Sequence, residues 1–118
     1  MQVWRRFEFS SAHTLEGHPG ACRNMHGHNY TLEVRVDGDV DPETGMVIDF
    51  DELLRAVDEQ VLSRLDHAYL NDVMDIPTAE NIARWVWGQL SSRLTGLAEI
   101  TIYELSSCAV TYRGEHEP

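Results

Sequence analysis

The sequence predicts an α+β fold: a four-stranded antiparallel sheet with two helices on one face, in the order strand, strand, helix, helix, strand, strand. Three observations carry this prediction. Residues 26–36 alternate, with His26, His28, Tyr30, Leu32, Val34 and Val36 on one side and Asn29, Thr31, Glu33 and Arg35 on the other. That is the period of a half-buried strand. Residues 50–65 place Phe50, Leu53, Leu54, Val57, Val61, Leu62 and Leu65 at helical spacing instead. Two short β-rich segments joined at Ser106-Ser107 close the chain.

The elements follow in order. A first strand runs over about 3–12, with Phe7 and Phe9 on one face. Gly17, Pro19 and Gly20 make 14–23 a loop, and the second strand covers about 26–36. Asp37-Gly38-Asp39 and Asp41-Pro42-Glu43-Thr44-Gly45 read as turns. Asp49 and Glu52 form a capping-box pattern that opens the first helix, which runs to about Leu65. Residues 66–72 read as a loop. Thr78, after Pro77, is the expected N-cap of the second helix. Ile82, Trp85, Val86 and Leu90 line its buried face, and Gly96 is expected to end it. Strands over about 98–105 and 109–113 complete the fold. Two helices can cover only one face of such a sheet. The other face is expected to stay partly apolar and the outer strands to have open edges. Both favour strand-to-strand assembly into an oligomer.

The length of 118 residues fits one domain over 1–118. Nine Arg and no Lys face twenty Asp and Glu, a formal charge of −11. Such a surface repels phosphate backbones, so nucleic acid is not an expected partner. The lack of Lys removes Schiff-base chemistry. No apolar run has the length of a membrane span, and Met1-Gln2-Val3-Trp4-Arg5-Arg6 lacks the apolar core of a secretory signal. The expected location is therefore cytoplasmic, with no membrane partner. Cys22 and Cys108 are expected as free thiols, Cys108 as a small buried residue near a turn.

His26 and His28 lie two apart on one strand, so both imidazoles project from the same face. His13 ends the neighbouring strand. Three His around one point suit Zn²⁺, with Zn–N of about 2.0–2.1 Å and an open fourth position, which is the catalytic pattern. Gly27 between the pair removes a side chain and permits close approach. Cys22, four residues before His26, is a fourth ligand, a reactive thiol or an inert loop residue. A metal and His nearby would favour its thiolate. His67 is either a general acid or base oriented by Asp66 or a His placed by the helix C-terminus. Glu104 shares a strand face with Ile100 and Ile102. It is either a solvated strand end or a buried anchor, and a buried carboxylate needs paired donors such as the two adjacent N–H groups of a pterin or guanine edge. Glu80 sits in a helix first turn, where the dipole alone would explain it.

Taken together, Phe9-Ser10-Ser11-Ala12-His13, Cys22-Arg23-Asn24-Met25-His26-Gly27-His28-Asn29-Tyr30, Gly45-Met46-Val47-Ile48-Asp49-Phe50, Leu65-Asp66-His67-Ala68-Tyr69-Leu70-Asn71, Pro77-Thr78-Ala79-Glu80-Asn81 and Tyr112-Arg113-Gly114-Glu115 resemble the 6-pyruvoyl-tetrahydropterin synthase superfamily. The resemblance covers the chain in order. It implies the tunnelling fold (T-fold), in which three subunits close a barrel and two barrels stack into a homohexamer. It implies zinc on His13, His26 and His28. Cys22 would be the catalytic base, with Asp66 and His67 of a neighbouring subunit completing the proton transfers. Glu104 would anchor the pterin ring, with Thr78 and Glu80 lining the pocket. Three residues separate Cys22 from His26 and the preceding loop is short, which resembles the 6-carboxy-tetrahydropterin synthases of the 7-deazaguanine (queuosine) pathway. One departure is Leu105, where many members carry Thr after the anchoring Glu.

That resemblance implies a zinc-dependent lyase acting on 7,8-dihydroneopterin triphosphate. Zinc would lower the pKa of the side-chain hydroxyls, the Cys22 thiolate would move a proton, and His67 would return one. Triphosphate leaves, and side-chain cleavage releases acetaldehyde and leaves 6-carboxy-5,6,7,8-tetrahydropterin. Arg23 and Arg113 are the arginines expected at the triphosphate. The alternatives are a 6-pyruvoyl product, a dihydroneopterin side-chain aldolase, or a non-catalytic zinc- or pterin-binding module.

Overall fold

The computed structural model describes residues 1–20 and 24–115. In chain order the elements are β1 (Gln2–His13) and β2 (His26–Asp37), then one continuous helical run, α1, made of Phe50–Val57, a π-helical turn Asp58–Leu62 and a closing turn Ser63–Leu65. β3 (Ala68–Tyr69), α2 (Ala79–Leu90), β4 (Leu97–Leu105) and β5 (Cys108–Tyr112) follow.

The sheet has five strands in the order β3-β1-β2-β4-β5, not the four antiparallel strands expected. β1, β2, β4 and β5 pair antiparallel as expected, while β3 runs parallel to β1 at Ser11 and Ala12. The cause is local. His67 takes a left-handed backbone, φ 57°, and its N–H donates to the Ser10 carbonyl at 2.6 Å. The Ser11 hydroxyl donates to the Leu65 carbonyl, and the Ser10 N–H donates to Asp66 Oδ1 at 3.0 Å. These bonds lay residues 68–69 along β1. A two-residue bridge has no periodicity to read.

Alternation puts Phe7, Phe9, Tyr30, Leu32, Val34, Ile100 and Ile102 on the face that the helices cover, all buried. The Asp49 carboxylate accepts from the Asp51 N–H at 2.8 Å and caps α1. Leu53, Ala56, Val57, Val61 and Leu65 of α1 are buried. Val57, Val61 and Leu65 are each four apart, and the wider π turn keeps them in line on the sheet. Phe50 is 55% exposed rather than on the buried face. As the first helical residue it lies beside Met1, Val3, Met46 and Ile48 at the end of the sheet.

The Thr78 hydroxyl accepts from the Asn81 N–H at 3.2 Å, the expected cap of α2. Ile82, Ala83, Val86 and Leu90 bury its inner face. The helix ends at Leu90, well before Gly96. Gly96 has another use: its carbonyl accepts the Asp37 N–H at 2.8 Å, and a Cβ there would collide with the Asp37 carbonyl. The glycine marks a close backbone approach, not a helix end.

The helix-free face is partly apolar, as expected: Trp4, Tyr103 and Leu105 lie on it among polar side chains, with Trp4 and Leu105 exposed. It also presents Arg6, Glu8, Asn29, Thr31, Glu33 and Arg35. Glu33 is buried there, receiving Arg6 Nε at 3.0 Å and Nη2 at 2.8 Å, with Arg35 Nη2 at 3.6 Å. Both guanidinium groups lie over Trp4, 5.4 and 5.1 Å from its ring centre. The sheet edges are open as well: β5 ends the sheet on one side, and β3 covers only two residues of β1 on the other. Cys108 is exposed beside the β4–β5 turn, not buried. Among the described residues no helix is long and apolar enough to cross a membrane.

Candidate metal centre

On β2 the helix-side series Val34, Leu32, Tyr30 continues as His28 and His26, where the helices no longer cover the sheet. Strand register places the partners. His13 of β1 lies opposite His26, and Tyr103 of β4 lies opposite Thr31, which brings Glu104 to the same end. The four donor atoms of His13, His26, His28 and Glu104 lie within 4.8 Å of one another.

Hydrogen bonds fix the imidazoles. His13 Nδ1 is 2.8 Å from the Pro77 carbonyl, and His26 Nδ1 is 2.7 Å from the Asn24 carbonyl. A carbonyl only accepts, so each Nδ1 carries the hydrogen. In the neutral rings both Nε2 atoms then present bare lone pairs, 2.8 Å apart. Two such lone pairs repel unless a cation lies between them. His28 Nε2 is buried and 3.3 Å from Glu104 Oε1, yet off the hydrogen-bond direction, and it has no hydrogen-bond partner among the described residues. A buried polar atom left this way is costly. Three imidazole nitrogens and a carboxylate aimed at one point fit a divalent transition metal ion.

Burial pushes the His28 pKa down; Glu104 opposes this and His13 and His26 add to it. The neutral imidazole that ligates a metal is thereby favoured. Beneath the cluster Tyr30 stacks on Phe9 at 4.9 Å. Its hydroxyl is 3.4 Å from His13 Nδ1, and burial, then Glu104, holds it as the neutral phenol.

Asn71 had no assigned role in the sequence, yet it holds the chain beside His13. Its Oδ1 accepts the Thr14 N–H at 2.9 Å and its Nδ2 donates to the Thr14 carbonyl at 2.9 Å. Tyr69 adds a hydroxyl bond to Thr14 Oγ1 at 3.2 Å. The Pro77 and Asn24 carbonyls were equally unreadable, since any residue supplies a carbonyl.

Asp66 and His67 form a separate, exposed corner. His67 Nδ1 is 3.1 Å from Asp66 Oδ1, and the Ser10 N–H, then His67, holds the Asp66 carboxyl below its ordinary range. His67 and His28 line one open groove with Ser10, Ser11, Asn29 and Tyr69. Thr78 spends its hydroxyl on the α2 cap, and Glu80 is exposed in the first turn. Cys22 and Arg23 lie outside the described residues. Arg113 is 3.5 Å from Glu99. Tyr112 pairs with Ile100, and Ile100 with Val34, so register puts Arg113 about 20 Å along the sheet from His28 of the same chain.

The model of the family described as 6-pyruvoyl tetrahydropterin synthase matches residues 2–115. The chain belongs to that family. Within the 6-pyruvoyl tetrahydropterin synthase family it is 38% identical to a 6-carboxy-5,6,7,8-tetrahydropterin synthase of Synechocystis sp., over 93% of this chain and 91% of that one. It is 36% identical to the human 6-pyruvoyl tetrahydrobiopterin synthase, over 97% and 92%. The solved 6-pyruvoyl tetrahydropterin synthase of Caenorhabditis elegans superposes with a TM-score of 0.89 at 31% identity, covering 98% of this chain and 96% of that one. The expected family, an enzyme of the lyase class, and an α+β fold with two helices are met; the strand count and the single strand sense are not.

Proposed function

We propose that this family member converts 7,8-dihydroneopterin triphosphate to 6-carboxy-5,6,7,8-tetrahydropterin, releasing acetaldehyde and triphosphate, in 7-deazaguanine (queuosine) biosynthesis. The observation that carries the reading is the convergence of three Nε2 atoms, one of them buried without a hydrogen-bond partner among the described residues. The similarity to the Synechocystis synthase and the three-residue gap between Cys22 and His26 support the carboxy product.

In this reading His13, His26 and His28 hold Zn²⁺, which acts as a Lewis acid that makes bound hydroxyls more acidic. Cys22 takes a proton from the substrate side chain. His67, oriented by Asp66, delivers the balancing proton from a neighbouring subunit. Glu104 accepts the paired N–H donors of the pterin ring, and Thr78 and Glu80 line its pocket. The 1–118 domain works in the cytoplasm as a homohexamer, a dimer of trimers, with neither nucleic acid nor membrane as partner.

Mass spectrometry of the products formed by zinc-loaded protein from 7,8-dihydroneopterin triphosphate tests the reaction. A 6-carboxy pterin with acetaldehyde supports it. A 6-pyruvoyl pterin would move the chain to the second reading, which the similarity to the human and C. elegans synthases favours. No turnover would favour a binding module. Cys22→Ala is expected to keep zinc and lose turnover; loss of zinc instead would make Cys22 a ligand.

A further inference from the structure

We infer that Glu104 is the fourth metal ligand of the substrate-free protein, and that it must leave the metal to receive the pterin ring. The inference rests on the metal and ring roles proposed above and adds a competition between them.

The geometry points to Glu104 Oε1 as a coordination vertex. It lies 3.5 Å from His13 Nε2 and 3.3 Å from His28 Nε2. Ligand atoms about 2.0–2.1 Å from a tetrahedral zinc are roughly 3.3 Å from one another. A hydrogen bond does not explain the 3.3 Å contact, because among the described residues His28 Nε2 is left without a hydrogen-bond partner at that distance. Both atoms lie within 4.8 Å of the other two donors as well, so one ion can be shared among them. Glu104 is also only partly enclosed. It sits on β4 at a register shift between Tyr103 and Leu105, is about one-third exposed, and among the described residues its ion-pair partners are those two imidazoles.

A carboxylate with Oε1 on a metal keeps lone pairs on both oxygens. Two adjacent ring N–H donors, however, take both oxygens along one edge and draw charge away from the metal bond, so the two contacts compete for the same group. Ring binding therefore opens the position that the substrate hydroxyls need. By linkage, the ring and the Glu104–metal bond weaken each other reciprocally. An empty enzyme keeps its metal closed to stray anions, and the correct ring unlocks it.

Cobalt(II) in place of zinc makes the site visible. The cobalt-loaded wild-type protein is titrated with azide and its visible absorption followed. Millimolar azide is expected to leave the wild-type spectrum unchanged and to shift that of Glu104→Gln. Adding a pterin ring that lacks the side chain is expected to make the wild type azide-responsive. Competition with a chromophoric chelator should show zinc held about tenfold or more weaker by Glu104→Gln, with Glu99→Gln, on the opposite face of the same strand, unchanged. Azide binding to the ring-free wild type overturns the inference, and this result needs no variant that must fold. Equal zinc affinity in Glu104→Gln also overturns it. A wild type that stays closed to azide with the ring bound overturns the competition. These readouts need no turnover, so a wrong product assignment leaves them standing.

Discussion

The helix-covered face of the sheet and its bare face use the same alternation for opposite ends. On the covered face the strands carry Phe, Leu, Val and Ile packed at full burial; where the helices run out, the series passes into histidines. On the bare face Glu33 is buried to about the same degree as Phe7 and Leu94, but two guanidinium groups surround it. The difference teaches where stability and chemistry divide. Apolar packing holds the sheet, and the metal cluster sits where that packing stops, so donor atoms are both held and accessible.

The sharpest way to break the comparison is to cut neighbouring residues of β2. Leu32→Ala removes a fully buried side chain and should cost about 2–5 kcal/mol. Thr31→Ala, one residue away on the bare face, should stay within about 1 kcal/mol. Urea unfolding at one protein concentration measures both, and similar losses would mean the bare face packs as the covered one does. Glu33→Gln comes next. It leaves two arginines without their shared carboxylate. A fully buried pair would lose about 3–5 kcal/mol, but the Arg6 side chain is 57% exposed, so about 1–2 kcal/mol is expected. A loss below about 0.5 kcal/mol would show that water replaces the pairing.

Much of this was legible before the fold was known, and the missing parts share a cause. Period-2 alternation located β1 and β2, and with it two of the three imidazoles on one face. Caps at Asp49 and Thr78 located both helix starts. β3, the use of Gly96, the π turn and the Asn71 clamp were illegible, because each depends on backbone groups meeting across the fold. The carbonyls of Pro77 and Asn24 orient His13 and His26, and carbonyls have no sequence. The mixed character of the bare face was legible in part: the polar series Asn29, Thr31, Glu33, Arg35 stands in the sequence, while its meeting with Trp4, Tyr103 and Leu105 depends on strand register.

Asn71 sharpens the comparison at the cluster itself. Asn71→Ala removes two neutral hydrogen bonds to Thr14, worth about 1 kcal/mol of stability. Zinc affinity should fall several-fold as His13 loses its support, while the same substitution at exposed Asn24 should spare affinity, since only its carbonyl is used. Chelator competition on both variants reads this. An Asn71→Ala protein that is less stable but binds zinc normally would restrict the clamp to folding.

The smallest effect is expected at Asp66, at the edge where β3 joins. The Ser10 N–H holds its carboxyl below the ordinary range, with His67 adding to this. A depressed folded pKa stabilises the fold above the unfolded value, and that contribution fades as pH falls through the ordinary carboxylate range, about 4, and below it. Asp66→Asn keeps an oxygen that can accept the Ser10 N–H and removes only the charge. The stability difference between wild type and variant should therefore be constant near neutral pH and shrink on acidification. Because the side chain is 40% exposed, solvent screening keeps the difference below the others. A difference that stays flat through the acid range would mean the ionised form is not what secures this corner. The His67 N–H to Ser10 carbonyl bond would then hold it alone, and the pair would be placed by backbone geometry, as His13 and His26 are.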